Sequence, residues 1–318
     1  MENAYSSENR QPQWHLLGAG SLGCLFAAYL QRAGVAFELI VRDEATLQQL
    51  RANGGIALLR DNTNTIVAVT ATTPAFVSAP ITQLLICTKA QQTLAAVGAI
   101  KSKLAPNALI VLLQNGMGVR ELLQAELPSA AILHALSTEG AFRSTRFNVM
   151  HAGRGETVIG AIEPQQQALA KSAAQALQCE LSIAFAADIE HGLWLKLGVN
   201  SVINPLTAIN RCRNGELFKL DNIETTVTQL CEELAHVARA EHVNLMAAQL
   251  RDEAYHVMHA TANNRSSMLQ DIEAGRDTEI DFINGFIVQR AHHHGIACNK
   301  HEELLAAVHA IESATPSP

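Results

Sequence analysis

Three polar residues recur every four positions inside one apolar stretch, Trp194-Leu-Lys-Leu-Gly-Val-Asn-Ser-Val-Ile-Asn204-Pro205: Lys196, Asn200 and Asn204. At about 100° per residue they fan over roughly 80° of one helix face. Their neighbours Leu193, Trp194, Leu195, Leu197, Val199, Val202 and Ile203 are core residues. Burying an ammonium and two amides without partners costs several kcal/mol, so other protein groups or a polar ligand must meet the stripe. An ammonium placed this way can hold a developing negative charge and give up its proton, while amides orient what carries that charge. A satisfied buried network is the plainer reading of the same spacing.

A second chemical signal lies near the N-terminus. Trp14-His-Leu-Leu17 is a short apolar strand that runs into Gly18-Ala19-Gly20-Ser21-Leu22-Gly23, a G-x-G-x-x-G word. An apolar helix pattern follows, ending at Ala33-Gly34, and Val35 to Val41 supplies the next strand. In this strand–turn–helix–strand setting the word reads as a dinucleotide site. Gly18 makes the turn, Gly20 lets the backbone approach a pyrophosphate, and Gly23 allows close packing of helix on strand. The helix start then offers free N–H groups and a positive dipole end. At the tip of the second strand, Arg42 can take a 2′-phosphate through paired charge-assisted bonds, which favours NADP over NAD. Asp43 offers the competing reading, a ribose acceptor, and also suits the N-cap of a helix over Glu44 to Ala52.

The elements that position these groups fall into two textures. Short apolar strands alternate with helices up to about residue 187, including a hairpin formed by Gly55–Leu59 and Ile66–Thr70 and buried strands at Leu84–Thr88 and Ala108–Leu113. Alternation of this kind predicts a doubly wound α/β sheet. Helical periodicities then take over at 189–203, 222–242, 246–262, 279–294 and 301–313. The expected fold is α/β, a Rossmann-type domain over 14–187 followed by an all-helical domain over 188–318. Residues 1–13 are polar, lack the apolar stretch of a signal peptide and read as a disordered tail.

The 318 residues carry a net charge of −7, with 48% hydrophobic and 17% charged content. That balance argues against nucleic acid or anionic membranes as partners. No apolar run approaches the roughly 18 residues of a spanning helix. The six cysteines are scattered without metal spacing, as expected of free thiols in a reducing compartment, and cytosol is the expected location. His292-His-His294 with His256 and His259 reads as a partly exposed helix end, and no metal is expected.

Several words in order carry a resemblance over roughly residues 14 to 310. They are Lys196-Leu-Gly-Val-Asn200-Ser-Val-Ile-Asn204-Pro-Leu-Thr-Ala208, Asn214-Gly-Glu216, Ser266-Ser-Met-Leu-Gln-Asp271 and Thr278-Glu-Ile-Asp-Phe-Ile-Asn-Gly285. The chain resembles the ketopantoate reductase (2-dehydropantoate 2-reductase) family. The resemblance implies NADPH-dependent reduction of 2-dehydropantoate to (R)-pantoate, on the route to pantothenate and coenzyme A, in a cleft between a Rossmann and a helical domain. It implies Lys196 as the catalytic lysine and Glu279 as its acidic partner. Asn200, Asn204 and Ser267 fall on substrate-binding positions, and Asn115 on a position that meets both substrate and cofactor. Gly18, Gly20, Gly23, Arg42 and Lys89 fall on cofactor positions. Glu139 departs from the pattern, where a neutral residue or histidine is expected.

Each residue has a plainer alternative. Lys196 can serve a structural ion pair, Glu279 a solvated helix start, and Ser266 or Ser267 a helix cap. Lys89 can be an exposed strand-end lysine and Asn115-Gly116 a turn. At the level of function, the alternatives are a related NAD(P)-dependent dehydrogenase of another small 2-oxo acid, and a non-catalytic NADP-sensing module. A monomer or a homodimer suits all three.

Overall fold

The computed structural model describes residues 14–314; the tail expected over residues 1–13 lies outside them. Two compact units emerge. The first runs to Thr88 and adds Gln92–Leu113 and Glu126–Ala186. The second comprises Lys89–Gln91, Gln114–Ala125 and everything from Ala187 onward.

The strands and helices up to residue 185 are β1 (Trp14–Leu17), α1 (Ser21–Arg32), β2 (Phe37–Ile40), α2 (Glu44–Ala52), β3 (Ile56–Arg60), β4 (Thr63–Val67), β5 (Ala71–Thr72), β6 (Ile81–Ile86) and α3 (Ala90–Ile100). They continue with β7 (Leu104–Leu112), α4 (Val119–Glu126), β8 (Ala131–Ser137), β9 (Gly140–Thr145), β10 (Asn148–Gly153), β11 (Thr157–Gly160), α5 (Gln167–Ala176) and β12 (Ile183–Phe185). Eight strands form one sheet in the order β12-β11-β8-β7-β6-β1-β2-β5, parallel throughout except where β11 meets β8. The order reverses at β1, with β2 on one side and β6 on the other, and ligands of such sheets bind at that switch, beyond the carboxyl ends of the strands.

The expected hairpin belongs to a second sheet of four strands, β4-β3-β10-β9. Its turn is tighter than the six-residue link expected. Asp61 and Asn62 both take positive φ, 49° and 61°, the two-residue geometry that short polar side chains tolerate. Strand β9 was not anticipated, because Phe142–Thr145 is exposed and shows no apolar alternation.

Helix α1 touches strands of both sheets, which accounts for eight consecutive buried residues from Gly23 to Leu30. Glu139, the departure from the family pattern, fixes the second sheet to this helix. Its carboxylate accepts from His151 Nε2 at 2.7 Å and from the Gly155 N–H at 3.0 Å. Tyr29 of α1 donates to His151 Nδ1 at 2.8 Å and accepts from Arg60 at 3.0 Å. Where a neutral residue or histidine was expected at position 139, the carboxylate is instead partnered by a histidine from β10.

The second unit is helical: α6 (Ile189–Asn210), α7 (Ile223–Ala240), α8 (Ala247–Ala260), α9 (Ser267–Glu273), α10 (Ile280–His293) and α11 (Asn299–Ala314). The α/β class with helices following the parallel sheet is therefore as expected. The expected end of α6 at residue 203 is corrected, since the helix passes through Pro205 to Asn210. Proline cannot donate to the carbonyl four residues back. That carbonyl, on Ser201, instead accepts from Asn284 Nδ2 at 3.0 Å. His301 Nδ1 accepts from the same amide at 3.0 Å, and its Nε2 donates to Leu230 O. No helix among the described residues is long and apolar enough to cross a membrane.

Candidate active site

The three glycines of the loop differ in what requires them. Gly18 sits at φ +104°, and a Cβ there would lie 2.8 Å from Thr88 Cγ2, so turn and packing both require it. A Cβ on Gly23 would run into the Gly18 carbonyl, so helix-on-strand packing requires that glycine. Gly20 differs, because it takes φ −70° and its Cβ would meet only Cys87 O at an ordinary 3.6 Å. The protein itself does not demand a glycine there, whereas a ligand lying against the backbone would. No side chain caps α1, so the N–H groups of its first turn remain available to an anion. The loop fits a pyrophosphate.

At the end of β2, Arg42 is 71% exposed and its Nε donates to Asp43 Oδ2 at 2.9 Å. The other Asp43 oxygen accepts from the Thr46 N–H at 2.7 Å, the N-cap expected for α2. These contacts, the Thr46 bonds foremost, hold the Asp43 carboxyl below its ordinary range. Both oxygens are engaged, which weakens Asp43 as a ribose acceptor.

The polar groups of the second unit converge on Glu279. It is 7% exposed and stands at the start of α10 without capping it. Its carboxylate accepts instead from the Ala90 N–H at 3.1 Å and from Asn115 Nδ2 at 3.4 Å. A solvated helix-start acid does not look like this. Burial pushes the Glu279 carboxyl up, opposed by the Ala90 bond and the nearby charge of Lys89. Lys89 Nζ lies 2.5 Å from Asp271 Oδ1, an oxygen that also accepts from the Arg276 guanidinium at 3.0 Å. The turn presenting Asn115 is locked by the Met117 N–H donating to Phe282 O at 2.8 Å. Asp271 was missed as part of this cluster; its only signal was its place at the end of Ser266-Ser-Met-Leu-Gln-Asp271.

Lys196, Asn200 and Asn204 lie on the single helix α6. Burial lowers the Lys196 ammonium, the Glu279 charge partly opposes it, and the net value is about 8. A pKa moved that far toward neutrality suits a proton donor. Asn200 is half-buried and Asn204 7% exposed, and neither side-chain amide hydrogen-bonds to a protein group among the described residues. A satisfied internal network therefore does not explain the two amides. The two serines divide. Ser266 is the cap of α9, accepting from the Leu269 N–H at 3.1 Å and lying 2.6 Å from Thr207 Oγ1. Ser267 is exposed.

One His/Cys/Glu group among the described residues clusters tightly enough to raise the question of a metal: Glu233, Cys298 and His301. The Glu233 carboxylate already accepts the Lys300 and His301 N–H groups at the start of α11, and both ring nitrogens of His301 are hydrogen-bonded. The group is a helix cap.

Comparison with known proteins matches the chain in two parts. The family described as ketopantoate reductase PanE/ApbA matches residues 14–164, and its C-terminal counterpart matches residues 188–312. The 2-dehydropantoate 2-reductase of Shigella flexneri is 37% identical over 94% of each chain, and that of Vibrio cholerae is 33% identical over 93% of this chain and 97% of its own. A crystal structure of a PanE/ApbA family ketopantoate reductase from Ralstonia eutropha shares 30% identity with a TM-score of 0.85, covering 95% of this chain and 99% of that one. A D-mandelate dehydrogenase solved with NADH and anilino(oxo)acetate has a TM-score of 0.89 at 24% identity over 95% of this chain and 99% of its own, a likeness of fold. With both of its parts matched and close relatives aligned nearly end to end, this chain belongs to the ketopantoate reductase family.

Proposed function

We propose that this chain reduces the ketone of 2-dehydropantoate with NADPH to give (R)-pantoate, a step toward pantothenate and coenzyme A. Residues 14–187 bind the cofactor and residues 188–318 carry the substrate and catalytic groups. The observation that supports this reading is the lowered Lys196 ammonium, on the same helix as two amides without protein partners among the described residues, under the electrostatic influence of buried Glu279.

When bound, the nicotinamide cofactor supplies the hydride. The chain supplies the proton and the environment. Lys196 faces the ketone oxygen, stabilises the charge that develops there and donates its proton. Glu279 keeps that ammonium charged and accepts from the substrate hydroxyl. Asn200 and Asn204 orient the carbonyl and carboxylate, Ser267 meets the carboxylate end, and Asn115 links substrate to cofactor. Lys89 and Arg42 meet the phosphates and ribose, and Gly18 to Gly23 hold the pyrophosphate.

The deciding experiment follows NADPH absorbance with purified protein. It should fall on addition of 2-dehydropantoate and far more slowly with 2-oxo acids lacking the quaternary carbon. A flat trace with 2-dehydropantoate beside active turnover of another 2-oxo acid would assign the chain to a related dehydrogenase. No turnover of any, with NADPH bound, would make it a sensing module.

A further inference from the structure

The second sheet delivers two more guanidiniums to the end of β1 and to the helix that follows β2. Arg143 of β9 donates to the Ala19 carbonyl at 2.8 Å, between the first two glycines of the loop. Arg146, in the β9–β10 turn, donates to Thr46 Oγ1 at 3.2 Å and Gln49 Oε1 at 2.9 Å. Thr46 in turn donates its N–H to Asp43, the residue paired with Arg42. A short chain of contacts, Arg146–Thr46–Asp43–Arg42, thus joins two cations at the carboxyl end of β2, while the third touches the glycine loop. The adenosine half of a dinucleotide lies between these two places in a doubly wound sheet. Three guanidiniums against the engaged Asp43 carboxylate, with neighbouring Glu44 offset by Arg51 at 3.9 Å, leave a net charge that complements a phosphate dianion, and guanidinium forks match phosphate geometry.

We propose that Arg143 and Arg146 act with Arg42 as a composite site for the 2′-phosphate of NADPH, making the four-stranded sheet a specificity element for the cofactor. The proposal rests on the NADPH reading above. Neither arginine belongs to the glycine word or to the tip of β2, and each reaches the site through a hairpin more than a hundred residues downstream of the loop.

Calorimetric titration of the full-length protein tests it, using NADPH, NADH, adenosine 2′,5′-bisphosphate and adenosine 5′-phosphate. R143Q and R146Q should each weaken NADPH and the bisphosphate by about tenfold or more, the loss of one charge-assisted contact, and leave NADH and adenosine 5′-phosphate unchanged. R143K, which keeps a donor for the Ala19 carbonyl, should recover part of the loss. Unchanged NADH affinity also reports an intact fold. Equal losses for both cofactors would overturn the proposal and leave Arg143 and Arg146 as braces for the loop and α2. Wild-type selectivity for NADPH that survives in both variants would also overturn it, with the NADPH reading intact. A wild-type protein that does not distinguish NADPH from NADH would instead remove the NADPH reading itself.

Discussion

Asn284 of α10 donates to the Ser201 carbonyl of α6, the carbonyl that Pro205 leaves without its usual helix donor. This bond keeps Asn204, the residue before the proline, in register with Lys196 and Asn200. Asn284→Leu should cost about 1–3 kcal/mol for the Ser201 carbonyl left unpaired and more because His301 Nδ1 loses the same donor, read as a lower urea midpoint with unchanged m-value. In a Pro205→Ala background, where an N–H is restored, the same substitution should cost clearly less. Equal costs in the two backgrounds would separate Asn284 from the proline.

With Lys196 as the proposed proton donor, its pKa of about 8 predicts a pH limit on the reaction. A general acid works protonated, so kcat/KM for ketone reduction should be flat below that value and fall as pH rises through it. Lys196→Met should lower kcat by roughly 10²–10⁴-fold while NADPH still binds. A kcat within a few-fold of wild type would remove Lys196 from the mechanism.

Glu279 raises the Lys196 pKa by its charge. Glu279→Gln should therefore move the alkaline limb to lower pH and reduce kcat/KM for the keto acid, with NADPH affinity little changed. Glu279→Ala should do worse, because the Ala90 N–H and the Asn115 amide both lose their acceptor. Wild-type turnover and pH dependence in Glu279→Gln would reduce the residue to a structural acid.

Arg42→Ala should weaken NADPH by roughly ten- to a hundredfold, the worth of a charge-assisted bond, and leave NADH nearly unaffected. Binding constants for the two cofactors decide it. An equal loss for both makes the residue structural.

His301 is fully buried and burial lowers it to about 4. The unfolded chain takes up a proton near pH 6.5 that the folded chain refuses until about pH 4, so stability should decline as pH falls through that window and level off below it. The group's share is about 3 kcal/mol. Urea titrations between pH 7.5 and 4 should show a shallower decline in His301→Gln than in the wild type.

Much of this layout was legible in the residues because local patterns and tertiary demands agree. The strand–turn–helix needs Gly18 for its positive-φ turn and Gly23 for close approach to the Gly18 carbonyl, reasons visible within ten residues of chain. The spacing of Lys196, Asn200 and Asn204 survives folding because it lies on one helix. What could not be read depends on partners far away in sequence. The 189–203 periodicity stops short of the proline, whereas α6 continues because Asn284, about eighty residues on, takes the proline's place as donor. Glu139 looked anomalous because its answering histidine is on another strand. Strand β9 carries polar exposed residues, so only its pairing with β10 defines it.

The burial of α1 between two sheets also has a consequence for synthesis. Strand β3 pairs in parallel with β10, some ninety residues later in the chain. As the chain leaves the ribosome, the hairpin of β3 and β4 waits for that partner, and one side of α1 stays uncovered. Tyr29, which meets His151 of β10 in the folded protein, faces water or a chaperone during this interval. The glycine loop at the head of α1 therefore acquires its final support only after residue 153 has emerged, so a cofactor held there as proposed would be captured only after β10 is made, well after the loop itself.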